Sequence, residues 1–197
     1  MQAKHSRTRR SMTSATLGAV LAFALASVAL FAVPMPQTPR NDYAFPRIPD
    51  AGGVVLLPDA AQQPRASAKI ILDVTAQSEA RELNKGLEKV ARTVNLYAGA
   101  GVASERMKIA AVFHGPAANV VLSDEEYARH TGTPHNPNRK LLRQLKDAGV
   151  ALYVCAQSLA HQGYAADEVA PEVQVAVSAI SVLVNCQSDG YAYVPVQ

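Results

Sequence analysis

Cysteine is scarce in this chain, and several familiar signatures of functional sites are missing. The 197 residues include two cysteines, Cys155 and Cys186, and no tryptophan. Two cysteines are too few for the disulfide scaffold of a small secreted domain. The sequence has no C-x-x-C, no G-x-S-x-G and no Walker loop. The stretch "GAGVAS" contains G-x-G, but it follows a predicted helix and lacks the third glycine of a dinucleotide-binding loop. These absences argue against a dithiol redox site, a hydrolase nucleophile and a nucleotide loop.

Acidic residues are absent from residues 1–33, where four cations occur: Lys4, Arg7, Arg9 and Arg10. An apolar run from Leu17 to Val33 follows them. This order is typical of a secretory leader, with cleavage after Ala26 or Ala29, and it predicts a periplasmic or secreted protein. If the leader is not cleaved, the run is nearly long enough to anchor the protein in a membrane.

A basic stripe is also missing from the remainder of the chain. The formal net charge of +3 becomes −1 once the four leader cations are left out. Nucleic-acid binding depends on clustered Lys and Arg that neutralise phosphates. We therefore expect no nucleic-acid partner.

Composition divides the chain into three segments. Residues 1–33 form the predicted signal peptide or N-terminal anchor. Residues 34–67 contain seven of the twelve prolines, which predicts an extended arm or linker, with a possible edge strand from Val54 to Leu57. Residues 68–197 show the regular patterns of a folded domain.

Short apolar stretches alternate with amphipathic ones from Ala68 onward. The stretches that predict strands are "AKIILDV", "MKIAAVFH", "VALYVC", residues 173–177 and "YAYVPV". Between the first two, apolar residues recur at helical spacing from Leu83 to Tyr97. Ser123 and Glu126 have the spacing of a capping box.

Two further helices complete the pattern. One is expected to begin with Asn136 as its cap and Pro137 in its first position. The last carries Ile180, Leu183 and Val184 on one face. Strands separated by helices predict an α/β domain of three layers, with a parallel sheet of about five strands and helices on both faces.

Cys155 lies where a predicted strand gives way to a helix, close to unpaired N–H groups that favour a thiolate. In such sheets, sites form at the carboxyl ends of the strands, where His114 also lies. Gln157, Ser158 and His161 are close enough along the chain to support the sulfur. Three roles stay open for Cys155: packing, a disulfide with Cys186, or chemistry.

Metal binding is not predicted. The histidines and Cys155 could offer soft ligands, but their spacings match no established ligand pattern. The sequence also indicates no cofactor.

The stretches "KIILDV", "KIAAVFHGPAANVVL", "LLRQLKDAGVALYVCAQSLAHQG" and "GYAYVPV" resemble the DsrE/DsrF-like family over roughly residues 68–197. The resemblance implies the YchN-type variant of a flavodoxin-like fold, assembled as trimers or hexamers. In sulfur-relay members, a cysteine at the equivalent strand end carries sulfane sulfur as a persulfide. That position is Cys155 here.

Two functions are therefore expected as alternatives. The first is an exported sulfur-handling protein in which Cys155 carries sulfur or acts as a redox thiol, exchanging with a donor or acceptor protein and without a conventional turnover site. Its supporting groups would be His114, Gln157, Ser158 and His161. The second is a non-catalytic oligomeric module that binds a small molecule, a metal or a partner protein.

Overall fold

A computed structural model describes residues 42–197 of the protein. The five strands are β1 Lys69–Val74, β2 Lys108–Phe113, β3 Ala151–Cys155, β4 Gln174–Ala176 and β5 Ala192–Val196. The five α-helices are α1 Lys85–Gly99, α2 Asp124–Thr131, α3 Arg139–Asp147, α4 Ala156–Gln162 and α5 Ala179–Ser188. Three 3-10 segments connect them: Ser104–Arg106, Gly115–Val121 and Ala166–Glu168.

All five strands pair in parallel, in the order β4-β3-β2-β1-β5. The first four strands therefore advance across the sheet in one direction, and the chain then returns to the far side of β1. Because right-handed crossovers in one direction place their helices on one face, the returning helix α5 must lie on the other. The predicted α/β fold with a five-stranded parallel sheet is confirmed.

The larger core lies between the sheet and the helices α1, α3 and α4. It contains the side chains of Leu72, Leu87, Leu142 and Leu159, each at most 2% exposed. Helix α1 begins where Asn84 caps it by accepting a hydrogen bond from the Leu87 N–H. Burial of apolar side chains such as these is the dominant favourable contribution to folding.

The second core is smaller and lies under α5 alone. It is built on Ile71, Ala110, Val112 and Cys155 of the sheet with Ala179 and Val182 of the helix. Of the three residues predicted to share one face of this helix, Leu183 packs against the core, whereas Ile180 and Val184 point outward, with 72% and 54% of their surface exposed. Helices do cover both faces of the sheet, but to unequal extents.

The described part of the arm, residues 42–67, is docked on α1 by one buried asparagine. Asn95 accepts hydrogen bonds from the N–H groups of Arg47 and Ile48 and donates to the carbonyls of Ile48, Ala51 and Gly52, five bonds in all. Gly52 has φ +63, and a Cβ there would lie 2.2 Å from the backbone N of Arg92. Only glycine allows the arm to approach the helix so closely.

Two local predictions differ from the structure. Val54 forms a single antiparallel bridge with Ala44 rather than part of an edge strand. Helix α3 begins at Arg139 after Asn138, because the side chain of Asn136 accepts from the Asn138 N–H and organises the turn instead of capping the helix. By contrast, Ser123 does cap α2, accepting from the Glu126 N–H.

The predicted leader of residues 1–33, including the possible anchor from Leu17 to Val33, lies outside the described residues, as does the start of the arm. Among residues 42–197, no helix has the length and apolar character needed to cross a membrane.

Candidate functional site

Cys155 is both the last residue of β3 and the residue that caps α4. Its backbone is extended, with φ −76 and ψ 117, so the chain turns directly from strand to helix at the sulfur-bearing residue. The side chain lies on the face of the sheet covered by α5. The beginnings of two helices, α4 and α5, therefore meet around one thiol.

Opposing effects act on the pKa of the Cys155 thiol. Burial raises this pKa, whereas hydrogen bonds from the Ser158 hydroxyl and from the backbone N–H groups of Ala179, Ser158 and Gln157 lower it. The net result is a pKa below the ordinary value of a cysteine. Donors from the first turns of both helices thus stabilise the thiolate, the form that acts as a nucleophile.

Ser158 links the thiol to the turn that follows β2. Its Oγ accepts a hydrogen bond of 3.0 Å from the N–H of Gly115, which leaves the hydroxyl proton to be donated to the sulfur. The side chain of Gln162 also binds this turn, at the carbonyl of Gly115. Ser158 thus lies in the first turn of α4 beside Cys155, and its support of the sulfur stays a prediction.

The sulfur lies beneath the surface, since Cys155 is only 4% exposed. Gln157 and Ser158, which follow it closely in the chain, help line an open cleft of about 470 Å³, together with Gly115, Pro116, His161 and Gln162. Cys155 does not line the cleft itself. The residue that the sequence marks as reactive is thus shielded, while its neighbours in the chain border an open groove.

Gln157 and His161 take positions at the cleft and not at the sulfur. The side-chain amide of Gln157 donates to the carbonyl of Val177 over 3.1 Å, which ties the start of α4 to the loop before α5. Only the backbone N–H of Gln157 acts on the thiol. His161 is exposed on the last turn of α4 and faces the cleft.

His114 directly follows β2, and its side chain is bound to a residue that sequence reasoning missed. Its Nε2 lies 2.6 Å from Oδ1 of Asp73, near the end of β1. The other carboxylate oxygen, Oδ2, accepts a hydrogen bond of 2.8 Å from the hydroxyl of Tyr193 on β5. This hydrogen bond raises the pKa of Tyr193, as do burial and the charge of Asp73.

The sequence contains one signal that could have revealed Asp73. A carboxylate within the apolar strand "KIILDV" is expensive to bury unless it has hydrogen-bonding partners. Such a residue at a strand end predicts donors on the neighbouring strands. No comparable signal marks Tyr193, since tyrosine is common in strands.

Cys186 differs from Cys155 in its surroundings. Both are free thiols, so the structure contains no disulfide between them. Burial and the nearby charge of Asp189 raise the pKa of Cys186. The two cysteines of the chain thus have pKa values shifted in opposite directions.

A second polar cluster lies away from Cys155. Glu126, His130 and Glu168 bring potential metal ligands together, the one such group found within residues 42–197. Arg129 pairs with both glutamates, and His130 lies 2.9 Å from Glu168. Because the guanidinium of Arg129 pairs with both carboxylates, an ion-pair network accounts for the cluster.

The family of the chain follows from a comparison with known proteins. Residues 68–196 match the model of the DsrE/DsrF-like family, so the chain belongs to this family, which is associated with sulfur relay. The match excludes the arm that Asn95 holds. No curated protein matches the chain.

A solved structure is also similar. It is that of MTH1491 from Methanobacterium thermoautotrophicum, described as a protein of unknown function. The TM-score is 0.48 at 23% identity, and the alignment covers 65% of this chain and 98% of that chain.

Proposed function

We propose that this protein is an exported sulfur-handling member of the DsrE/DsrF-like family and that Cys155 carries sulfane sulfur as a persulfide. One observation carries the proposal: Cys155 ends β3 at the N-cap of α4 and packs in the small core with Ala179, the first residue of α5, so the N-termini of two helices meet near its thiol. A carrier cysteine must be partly ionised at neutral pH to take up sulfur. The lowered pKa of Cys155 shifts the thiol towards that state.

The transfer is a displacement at sulfur. The Cys155 thiolate attacks the outer sulfur of a hydropersulfide, R–S–SH, so that a new S–S bond forms as the S–S bond of the donor breaks. The donor leaves as a thiolate and takes up a proton. Sulfane sulfur moves from one thiol to another, with no net oxidation.

Burial of Cys155 suits a carrier more than a general reducing thiol. A persulfide held at this depth is shielded from competing thiols in solution. The cleft lined by Ser158 and His161 provides the approach for a donor or acceptor. Transfer then requires a local opening between the cleft and the sulfur.

The test compares the two cysteines within one protein. The rate of alkylation by iodoacetamide is measured by peptide mass spectrometry as a function of pH. The midpoint for Cys155 is expected to lie below that for Cys186, whose pKa is raised. Use of the midpoint separates ionisation from the slow access that burial imposes.

Sulfur uptake is tested on the same protein. After brief treatment with polysulfide, the mass of one sulfur atom is expected on the Cys155 peptide, and Cys186→Ser should retain it. The carrier role fails if Cys155 titrates no lower than Cys186 and gains no sulfur.

Export is supported by the basic start and the apolar run of residues 17–33. Expression with and without this leader tests it. The mature protein is expected in the periplasmic or secreted fraction, with an intact mass that reports cleavage after Ala26 or Ala29. Retention of the full-length protein in the membrane fraction would indicate the anchored form instead.

Self-association is supported by the apolar residues that α5 and β5 leave exposed, Ile180 at 72%, Val184 at 54% and Tyr193 at 44%. A trimer or hexamer would bury them. Sedimentation at micromolar concentration is expected to give an oligomer, and Ile180→Asp to give a smaller species. A monomeric wild-type protein would overturn this part of the proposal.

The cleft favours a second candidate function, that of a non-catalytic binding module. A space of about 470 Å³ is sufficient for a small molecule. In that case Cys155→Ser should bind the same ligand as the wild-type protein. Loss of binding in Cys155→Ser, with assembly unchanged, favours the carrier.

A further inference from the structure

A line of polar side chains crosses the sheet from Tyr193, near the start of β5, to Cys155, at the end of β3. Tyr193 binds Asp73 over 2.8 Å, and Asp73 binds His114 over 2.6 Å. Strand β3, which pairs with β2, ends at Cys155.

The register of the sheet places His114 and Cys155 next to each other. Phe113 pairs with Val154 as the last matched pair of β2 and β3, and His114 and Cys155 are the next residues of the two chains. Neighbouring strands lie about 4.8 Å apart.

The two side chains also leave the sheet on the same face. Val112 and Cys155 both belong to the core under α5. Because side chains alternate along a strand, His114 projects to the face of Val112, and Asp73 to that of Ile71. One face of the sheet therefore carries the carboxylate, the imidazole and the thiol in adjacent columns.

The hydrogen bond to Asp73 fixes the role of the ring nitrogens. A carboxylate only accepts, so the Nε2 of His114 is the nitrogen that carries the proton in the neutral ring. Nδ1 is then left to accept a proton. Oδ2 of Asp73 is held by Tyr193, so the carboxylate that orients the ring is itself fixed.

We propose that Asp73 is a positioning residue for His114 and that His114 receives the proton of Cys155 and later delivers it to the leaving thiolate of the sulfur donor. This inference rests on the proposed carrier function. Imidazole and thiol give imidazolium and thiolate. The thiolate takes the outer sulfur of R–S–SH, and the imidazolium protonates R–S⁻ to R–SH. The histidine is regenerated, and the carboxylate stabilises it while it is charged.

Few other titratable groups lie on the elements around this rim. The segment Gly115–Val121 and strand β4 contain none, while α4 contributes His161, α5 contributes Cys186 and β3 contributes Tyr153. His161 is exposed at the cleft. A change in pH profile after substitution of Asp73 would thus be assigned to the pair it forms with His114.

The experiment follows single-turnover transfer of sulfur from cysteine hydropersulfide to Cys155 in Asp73→Asn, at a series of pH values. The rate at neutral pH is expected to fall about tenfold, the size typical of losing a residue that orients a functional histidine. The loss should vanish above the ordinary pKa of a thiol, where hydroxide ionises Cys155 without help. His114→Ala should show the same pattern, and the double variant should lose no more than His114→Ala.

The matched control is Asp167→Asn, which removes an exposed carboxylate outside the line. A purely structural role of Asp73 would lower the rate equally at every pH, and that result overturns the inference. So does an Asp73→Asn profile that superimposes on the wild-type profile. In both cases sulfur uptake by the wild-type protein leaves the carrier function standing, whereas no uptake by the wild-type protein removes the carrier function itself.

Discussion

The two faces of the sheet are covered to different depths. One face is covered by α1, α3 and α4, and outside α1 the arm adds a further layer through Asn95. The other face has α5 alone, with Ile180 and Val184 exposed. Asp73, His114, Cys155 and Tyr193 all lie on the thinly covered face. The larger hydrophobic core therefore lies on the first face, and the candidate functional side chains lie on the second.

The largest effect is expected from removal of the arm's attachment. Asn95→Ala leaves buried N–H and carbonyl groups without partners and should destabilise the protein by about 3 kcal/mol, since each such group costs about 1–3 kcal/mol unless the arm detaches. Denaturant unfolding measures the loss. Limited proteolysis should then cut residues 42–58 more rapidly.

The control for Asn95 is Lys140→Ala, which breaks the exposed pair between Lys140 and Asp50 that also joins the arm to the domain. Its cost should be about 0.5 kcal/mol or less. Equal losses in the two variants would show that the arm does not depend on Asn95.

Matched valines compare the two cores directly. Val90→Ala on α1 removes a fully buried side chain and should cost about 2 kcal/mol or more, from lost burial and the cavity left behind. Val182→Ala on α5 should cost about half as much, since only one helix surrounds that site and it can relax. Chemical denaturation of both variants measures the loss in free energy of unfolding. A larger loss for Val182→Ala than for Val90→Ala would contradict the expectation that the core under α5 is the weaker one.

A smaller change is expected from Ser158→Ala, which removes the side-chain donor to Cys155. The pKa of Cys155 should rise, and alkylation near neutral pH should slow by about tenfold, because a hydrogen bond to a charged group contributes about 1.5 kcal/mol. Ser181→Ala is the control, since its hydroxyl is bound to the carbonyl of Ser178. An unchanged alkylation midpoint in Ser158→Ala would remove this hydroxyl from the site.

The smallest effect is the pH dependence of stability that Cys155 contributes. Its pKa is lowered in the folded protein, so the thiolate adds stability that is fully present above the pKa of the unfolded chain and is lost as pH falls through the folded value. As the pH rises from the folded pKa of Cys155 to the ordinary pKa of a thiol, about 8.5, the free energy of unfolding of the wild-type protein should therefore increase relative to that of Cys155→Ala. A difference that shrinks over this interval contradicts the lowered pKa.

Sequence reasoning succeeded where the signal was local. The cap at Ser123 depends on residues three positions apart, and the strand ending at Cys155 depends on a short apolar run. It failed for Asn95, which follows Val94 on the buried side of α1 and receives its partners from a segment more than 40 residues away. It also placed Ile180, Leu183 and Val184 on one helical face but could not tell that Leu183 packs on the sheet while Ile180 is exposed.

The candidate site around Cys155 likewise combines features that local sequence predicted with features that depend on distant segments. The positions of Cys155 and Ser158 were predicted because the strand-to-helix turn is encoded within a few residues. The N–H of Ala179 reaches the sulfur only because the crossover of α5 returns over the sheet. Likewise, Asp73 and Tyr193 are 120 residues apart in the chain and meet through the pairing of β1 with β5.

The sequence alone therefore determined the order of strands and helices, the parallel sheet and the place of one thiol at a strand end, since each depends on periodicity and on contacts within a few residues. Tertiary structure decided the strand order, the unequal cover of the two faces and the neighbours of Cys155. These depend on which distant segments the crossovers bring together, and hydrogen-bond partners separated by many residues leave no local pattern in the chain.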